Sequence, residues 1–173
     1  MKYPTIEECF EFYKEINTPQ NIINHVIAVN RIAVFLAERL KEKDVEIDVR
    51  LVDAASLLHD LDKWLCINDK SLRHGEETEK ILKEKGFPEV GFYARQHIAE
   101  RLDENSTWEE KVICYADKRV RDEKIVTLKE RFDYINERYP AKDMQKRMES
   151  IKNTYEIEEE IMGKIGIKLS LFF

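Results

Sequence analysis

The apolar residues of this chain recur at helical spacing, and this periodicity constrains its fold more than any other feature. Between positions 18 and 43, the residues that share one apolar helical face are Ile22, Val26, Val29, Ile32, Ala33 and Leu36. No segment shows a convincing alternation of apolar and polar residues, as a half-buried strand would. Only 5 glycines and 4 prolines interrupt the 173 residues. The sequence therefore predicts an all-α bundle of about seven to nine helices.

Composition limits the organisation and the partners of the protein. With 37% charged and 43% hydrophobic residues, the chain suits one helical domain over residues 1–173, without repeats or linkers. Pro140 is predicted to end one helix and to open the last. The formal net charge of −6 argues against a general nucleic-acid binder, which needs a basic surface. A local basic patch for one small phosphorylated molecule is compatible with this charge.

The cysteines and the N-terminus indicate the compartment. Cys9, Cys66 and Cys114 are widely spaced and form no CxxC pair, so they predict neither a disulfide framework nor a zinc ribbon. Such cysteines are typical of reduced thiols in a cytosolic protein. The N-terminus lacks the apolar segment of a signal peptide, and no apolar run approaches the ~20 residues that span a bilayer. We expect a cytoplasmic protein that does not associate with membranes.

Four histidines and two aspartates form an ordered series along the chain. The series is His25, His59, Asp60, His74, His97 and Asp117. Most of these residues share a helical face with apolar neighbours, and buried imidazoles and carboxylates need partners or a metal. For a single histidine, a hydrogen-bonded core residue is the simpler interpretation, but the series as a whole favours a metal site. Imidazole and carboxylate without thiolate suit iron, manganese, cobalt, nickel or zinc.

Three segments around this series resemble the HD-domain superfamily of metal-dependent phosphohydrolases. Residues 57–63, Leu-Leu-His-Asp-Leu-Asp-Lys, are similar to the LLHDIGK signature of that family. Residues 18–25 resemble the segment that carries the first histidine of the family, and residues 115–118 resemble the segment of its distal aspartate. The likeness covers residues 18–120 and leaves C-terminal helices, predicted over 121–165, outside it. It implies an HD-type helical bundle.

The resemblance also implies a ligand set. The residues that would hold one divalent metal are His25, His59, Asp60 and Asp117. In branches with the fuller set, His74 and His97 hold a second metal, and Asp60 bridges the two. Those branches include cyclic-dinucleotide phosphodiesterases, diadenosine tetraphosphate hydrolases and di-iron oxygenases. They favour iron or manganese here, with magnesium also compatible. The residues alone leave open that His74 is a surface residue at a helix start and that His97 is a core residue.

The activity that the resemblance implies is metal-dependent phosphohydrolysis. A metal-activated hydroxide would cleave a phosphate ester or phosphoanhydride in a small phosphorylated metabolite, with a nucleotide favoured. Asp60 would position the metals, and Lys63, the signature lysine, would stabilise charge on the phosphate. Arg121 is the favoured arginine for the same task, and Lys118 and Arg73 are further candidates for substrate binding. Each cation taken alone is also compatible with an ordinary solvated surface.

Two alternatives to the hydrolase function stay open, and one residue of the signature departs from the family pattern. A di-iron oxygenase would use the same six ligands, and a non-catalytic regulatory protein would bind a nucleotide or a metal without turnover. Asp62 stands where the family usually has glycine. Its carboxylate is expected either to cap a turn or to orient a metal ligand or water. The oligomeric state stays open.

Overall fold

The computed structural model describes residues 1–138 and 143–166, so Pro140 lies outside the described residues. The α-helices are α1 (Ile6–Glu15), α2 (Gln20–Lys41), α3 (Val49–Leu58), α4 (Lys63–Asn68), α5 (Glu76–Glu84), α6 (Pro88–Arg95), α7 (Trp108–Lys118), α8 (Leu128–Arg138) and α9 (Met144–Ile165). A 3-10 turn over Ala99–Arg101 joins α6 to α7. The predicted all-α bundle is confirmed for the described part of the chain. None of these helices is both long enough and apolar enough to cross a bilayer.

One small element was not predicted. Between α7 and α8, the chain forms an antiparallel hairpin of β1 (Val120–Arg121) and β2 (Lys124–Ile125). Asp122, at its turn, has a φ of 57°, in the left-handed region that Asp tolerates better than most residues. Two-residue strands are too short to leave an alternating pattern in the sequence.

Helix α2 occupies the centre of the bundle and packs against α3 and α7. Its apolar stripe explains this position, because Val26, Val29, Ile32 and Leu36 are all fully buried. Burying one such side chain contributes about 1.5–3 kcal/mol, so the stripe fixes the orientation of α2 about its axis. His25 lies on the same buried side of α2. The packing of α2 therefore places the imidazole of His25 in the interior.

The C-terminal helix α9 is anchored to α7 through a buried arginine. Arg119 Nη1 donates to the hydroxyl of Tyr115 (2.6 Å) and to Glu158 Oε1 on α9 (3.3 Å). Its Nε donates to the carbonyl of Val126 (2.7 Å), and Tyr115 donates to the same Glu158 oxygen (2.6 Å). Charge-assisted hydrogen bonds of this kind are stronger than neutral ones. They hold α9 beside the C-terminal end of α7.

Candidate metal centre

The structure brings all six predicted ligands together where α2, α3 and α7 meet. His25 lies on α2, His59 and Asp60 follow α3, Asp117 lies in the last turn of α7, His74 precedes α5 and His97 follows α6. Five of the six are buried, and only the side chain of His74 is about one-third exposed. Unpaired burial of so many polar groups is unfavourable, so the arrangement requires partners within the cluster.

The first group contains the four residues predicted to hold one metal. Asp117 Oδ1 lies 3.1 Å from His25 Nε2 and 3.7 Å from His59 Nε2. Asp60 Oδ2 lies 3.7 Å and 3.6 Å from the same two nitrogens. Two imidazole nitrogens and two carboxylate oxygens therefore surround one small volume. This donor set matches the borderline divalent metals.

The second group shares Asp60 with the first. Asp60 Oδ1, the other carboxylate oxygen, lies 3.3 Å from His74 Nε2 and 4.0 Å from His97 Nε2. The two histidine Nε2 atoms are 3.0 Å apart. Because the two oxygens of Asp60 face different groups, the geometry has the form of a bridging carboxylate between two cation positions.

The tautomers of the histidines fit a metal. The oxygens that accept from each Nδ1 are Asp122 O for His25 (2.8 Å), Ser56 O for His59 (2.8 Å), Ala94 O for His97 (2.8 Å) and Asp62 Oδ1 for His74 (2.6 Å). Carbonyl and carboxylate oxygens accept hydrogen bonds, so Nδ1 carries a proton in each ring, and Nε2 is the nitrogen left to face the centre. His59 Nε2 is buried without any hydrogen-bond partner. Such an orphaned acceptor costs about 1–3 kcal/mol, which a cation at this position would offset.

The electrostatics of the centre favour positive charge. Burial opposes ionisation of Asp60 and Asp117, but Lys63 and Lys118 respectively, together with the nearby histidines, hold the pKa of each carboxyl well below its usual range. Burial also works against protonation of His74, but hydrogen bonds to Asp60 and Asp62 outweigh it and raise its pKa to about 9. The carboxylates are therefore ionised at neutral pH, and they attract either protons or a metal cation.

Asp62, which replaces the family glycine, holds the loop that carries His74. Its Oδ1 accepts from His74 Nδ1, and its Oδ2 accepts from the backbone N–H groups of Gly75 (2.6 Å) and Thr78 (3.1 Å). The Asp62 carboxylate is fully buried. Gly75 has a φ of 84°, which glycine adopts without strain. Of the two roles expected for Asp62, these contacts favour the orientation of a ligand.

A cleft of about 580 Å³ opens directly onto both groups. Lys63 and Lys118, two of the candidates for substrate binding, line it, and each ammonium contacts a carboxylate of the centre. Lys63 Nζ lies 2.5 Å from Asp60 Oδ2, and Lys118 Nζ lies 2.6 Å from Asp117 Oδ2. Although burial opposes their charged forms, these carboxylates raise the pKa of both lysines. Both lysines therefore stay cationic beside the centre.

Two of the predicted cations are not brought to the cleft. Arg121 lies in β1, and its guanidinium packs 5.6 Å from the ring centroid of Tyr134. Arg73 is almost fully exposed, and its nearest carboxylate is 4.0 Å away on Glu76. Neither residue is among the described residues that line the cleft. The hairpin after α7 turns Arg121 away, so nearness to Asp117 in sequence does not give nearness in space.

Three arginines that were not predicted as site residues line the cleft instead. They are Arg131 and Arg138 on α8 and Arg147 on α9. Residues 131 and 138 are seven positions apart and so share a helical face. That spacing was the available signal, but without a fold nothing indicated that this face meets the metal centre.

Comparisons with known proteins agree with this geometry. The model of the HD domain family matches residues 22–122. The chain is 29% identical over 157 residues to an uncharacterized protein of Methanocaldococcus jannaschii, an alignment that covers 82% of this chain and 88% of that protein. It is 25% identical over 186 residues to a tRNA (cytidine(56)-2'-O)-methyltransferase of Picrophilus torridus, covering 95% of this chain but only 49% of that enzyme. No solved structure gives a significant match. Because this match covers more than half of the chain, the chain belongs to the HD-domain family.

Proposed function

We propose that this protein is a metal-dependent phosphohydrolase that cleaves a phosphate ester or phosphoanhydride in a small phosphorylated metabolite, with a nucleotide as the favoured class. One observation carries the proposal. Six imidazole and carboxylate groups converge, all but the fully buried His59 line one cleft, and lysines stand beside them. Membership of the HD-domain family supports the hydrolase class. The cations of the cleft favour a substrate with negative charge.

The proposed ligands of the first metal are His25, His59, Asp60 and Asp117. Those of the second are Asp60, His74 and His97. When bound, a divalent metal lowers the pKa of a coordinated water toward about 7 and so supplies a hydroxide at neutral pH. Iron or manganese is proposed, since the imidazole and carboxylate donors accommodate both.

The residues of the chain then bind and orient the phosphate. Asp60 fixes the relative position of the two ligand groups, since its two oxygens face one group each. Lys63 is proposed as the catalytic cation that balances charge on the phosphate oxygens. Lys118, which pairs with Asp117, is proposed to balance the same charge from the other side of the centre. Asp62 keeps the His74 ring in place through Nδ1. Arg121 and Arg73 stay sequence predictions without support from their positions.

The test is the metal content of the purified protein, measured by elemental mass spectrometry, together with anaerobic phosphate release from a panel of phosphate esters and anhydrides. We expect two equivalents of iron or manganese per chain, and phosphate release that EDTA removes and added metal restores. His97→Ala is expected to retain about one equivalent, because it removes a ligand of the second position only. The matched control is Gln96→Ala, which alters the neighbouring residue, itself bonded to Glu110. It should keep both equivalents.

Other outcomes would redirect the assignment. One equivalent that is unchanged in His97→Ala would reject the second metal. Oxygen uptake without phosphate release would favour the di-iron oxygenase. Tight nucleotide binding without turnover of the panel would favour a regulatory protein, although such a protein has no evident need for a complete ligand set.

Compartment and partners follow from the same chemistry. Cys9, Cys66 and Cys114 are all free thiols, which suits the reducing cytoplasm proposed from the sequence. The tRNA methyltransferase relative raises RNA as a substrate, but the net charge of −6 disfavours general nucleic-acid binding. A small phosphorylated metabolite is therefore the proposed partner.

A further inference from the structure

Helices α8 and α9 extend the cleft beyond the segment that matches the family, which ends at residue 122. Arg131, Ile135 and Arg138 line it from one face of α8, at spacings of four and three residues. Arg147 lines it from α9, and its Nη1 donates to Asn136 Oδ1 on α8 (3.1 Å). This rim of arginines is thus supplied by the C-terminal part of the chain and is held together by contacts between α8 and α9.

Arg131 differs from the lysines at the floor of the cleft. Lys63 and Lys118 each contact a carboxylate. Within residues 1–138 and 143–166, by contrast, Arg131 forms no ion pair, and its buried Nε has no hydrogen-bond partner. A buried guanidinium donor without an acceptor is unfavourable, and the planar fork of arginine matches the oxygens of a phosphate. Among the described residues, no carboxylate therefore lies within ion-pair distance of this side chain.

Arg131 shares its cleft with the other cations that stand near the candidate ligands. Lys63, Lys118 and the carboxylate-bearing Asp117 line the same cleft as Arg131. Five cationic side chains thus line one cleft of a protein whose net charge is −6: Lys63, Lys118, Arg131, Arg138 and Arg147. Like charges that converge repel one another, and a polyanion bound between them offsets that repulsion. If metals neutralise Asp60 and Asp117, the excess of positive charge in the cleft grows further.

We propose that Arg131, with Arg138 and Arg147 beside it, binds a second phosphoryl group, so that the substrate carries at least two phosphates. This inference rests on the proposed hydrolase function, in which the first phosphoryl group lies at the metals between Lys63 and Lys118. The cleft is also lined by the aromatic rings of Trp64 and Tyr134, which suit a nucleobase. The chemical class is therefore a nucleoside diphosphate or triphosphate rather than a monophosphate.

The experiment compares two ligands that differ by one phosphorus-containing group. Adenosine monophosphate and the non-hydrolysable α,β-methylene analogue of adenosine diphosphate are titrated calorimetrically into the metal-loaded protein. We expect the diphosphate analogue to bind about tenfold more tightly, the value of one charge-assisted contact. Arg131→Gln should abolish that advantage while the monophosphate affinity changes by less than about twofold. Arg131→Lys should keep part of it, because the charge stays and the fork is lost.

Arg39→Gln is the matched control, since Arg39 lies at the far end of α2 and pairs with Glu42. It should leave both affinities unchanged, and circular dichroism should show all variants folded. Equal affinity for the two ligands, no binding of the diphosphate analogue, or an unchanged ratio in Arg131→Gln would overturn the subsite. A short 5′-phosphorylated RNA that binds far more tightly, and through Arg131, would overturn the small-molecule substrate. Because the readout is binding, a protein that binds through Arg131 but releases no phosphate contradicts only the hydrolase proposal.

Discussion

Replacing Asp60 with asparagine is expected to lower kcat/KM for phosphate release by more than about 1000-fold. Among residues 1–138 and 143–166, Asp60 is the one whose two oxygens face both candidate ligand groups, Oδ2 toward His25 and His59 and Oδ1 toward His74. Asparagine has similar volume, but it replaces one ligand oxygen with an NH2 group and removes the negative charge. The affinity for metal should therefore fall at both positions, and Lys63 loses its ion-pair partner.

The measurement combines kcat/KM for the best substrate of the panel with metal titration of the apoprotein. Asp53→Asn is the matched control. Asp53 also lies on α3, but its carboxylate accepts from Asn30 Nδ2 (2.7 Å) rather than facing the centre. We expect its activity and metal affinity to stay within about twofold of wild type, as for substitutions outside the site. An Asp60→Asn protein that binds two metals and keeps a tenth of the activity would contradict the bridging role.

That the candidate ligands His25, His59 and Asp60 lie in the interior was predictable, because each is tied to a local apolar pattern. His25 lies on the same face of α2 as Val29 and Ile32, and His59 and Asp60 follow directly on the apolar run of α3. Burial of those stripes therefore carries the ligands inward. The family signature supplied the order of the series, and the helical fold followed from the same periodicity.

The outer part of the cleft was not predictable in the same way. Arg121 follows Asp117 by four residues, so helical continuation would have placed both on one face. The hairpin at Asp122 breaks that continuity, and Arg121 packs on Tyr134 instead. Arg131 reaches the cleft because α8 lines it beside the candidate ligands, and no local pattern in the sequence records that placement.

The role of Asp62 depends on contacts that the sequence leaves hidden. Its carboxylate accepts from Gly75 and Thr78, which are 13 and 16 positions away. A turn cap would have been satisfied by neighbours two or three residues along the chain. The choice between the two expected roles was therefore set by the path of the loop before α5.

Asp62→Gly restores the residue usual in the family. It is expected to lower the metal affinity of the second position by about 10–100-fold and to leave the affinity of the first position unchanged. The substitution removes the acceptor of His74 Nδ1 and leaves the buried N–H groups of Gly75 and Thr78 without their carboxylate. The His74 ring then loses both its fixed tautomer and its orientation. Stability should also fall, by about 1–3 kcal/mol, because buried donors lose their acceptor. Metal titration and thermal unfolding of the apoprotein measure the two effects separately.

Thr78→Val separates the orientation of His74 from simple loss of stability. Thr78 Oγ1 accepts from the backbone N–H of Asp62 (3.1 Å), so valine leaves that buried donor unpaired but keeps the bond from His74 to Asp62. We expect a loss of about 1 kcal/mol in stability and a second-metal affinity within about twofold of wild type. If both variants lower the affinity for the second metal equally, Asp62 acts only through the stability of the loop. If only Asp62→Gly lowers that affinity, this chain has a carboxylate that positions a metal ligand where the family has glycine.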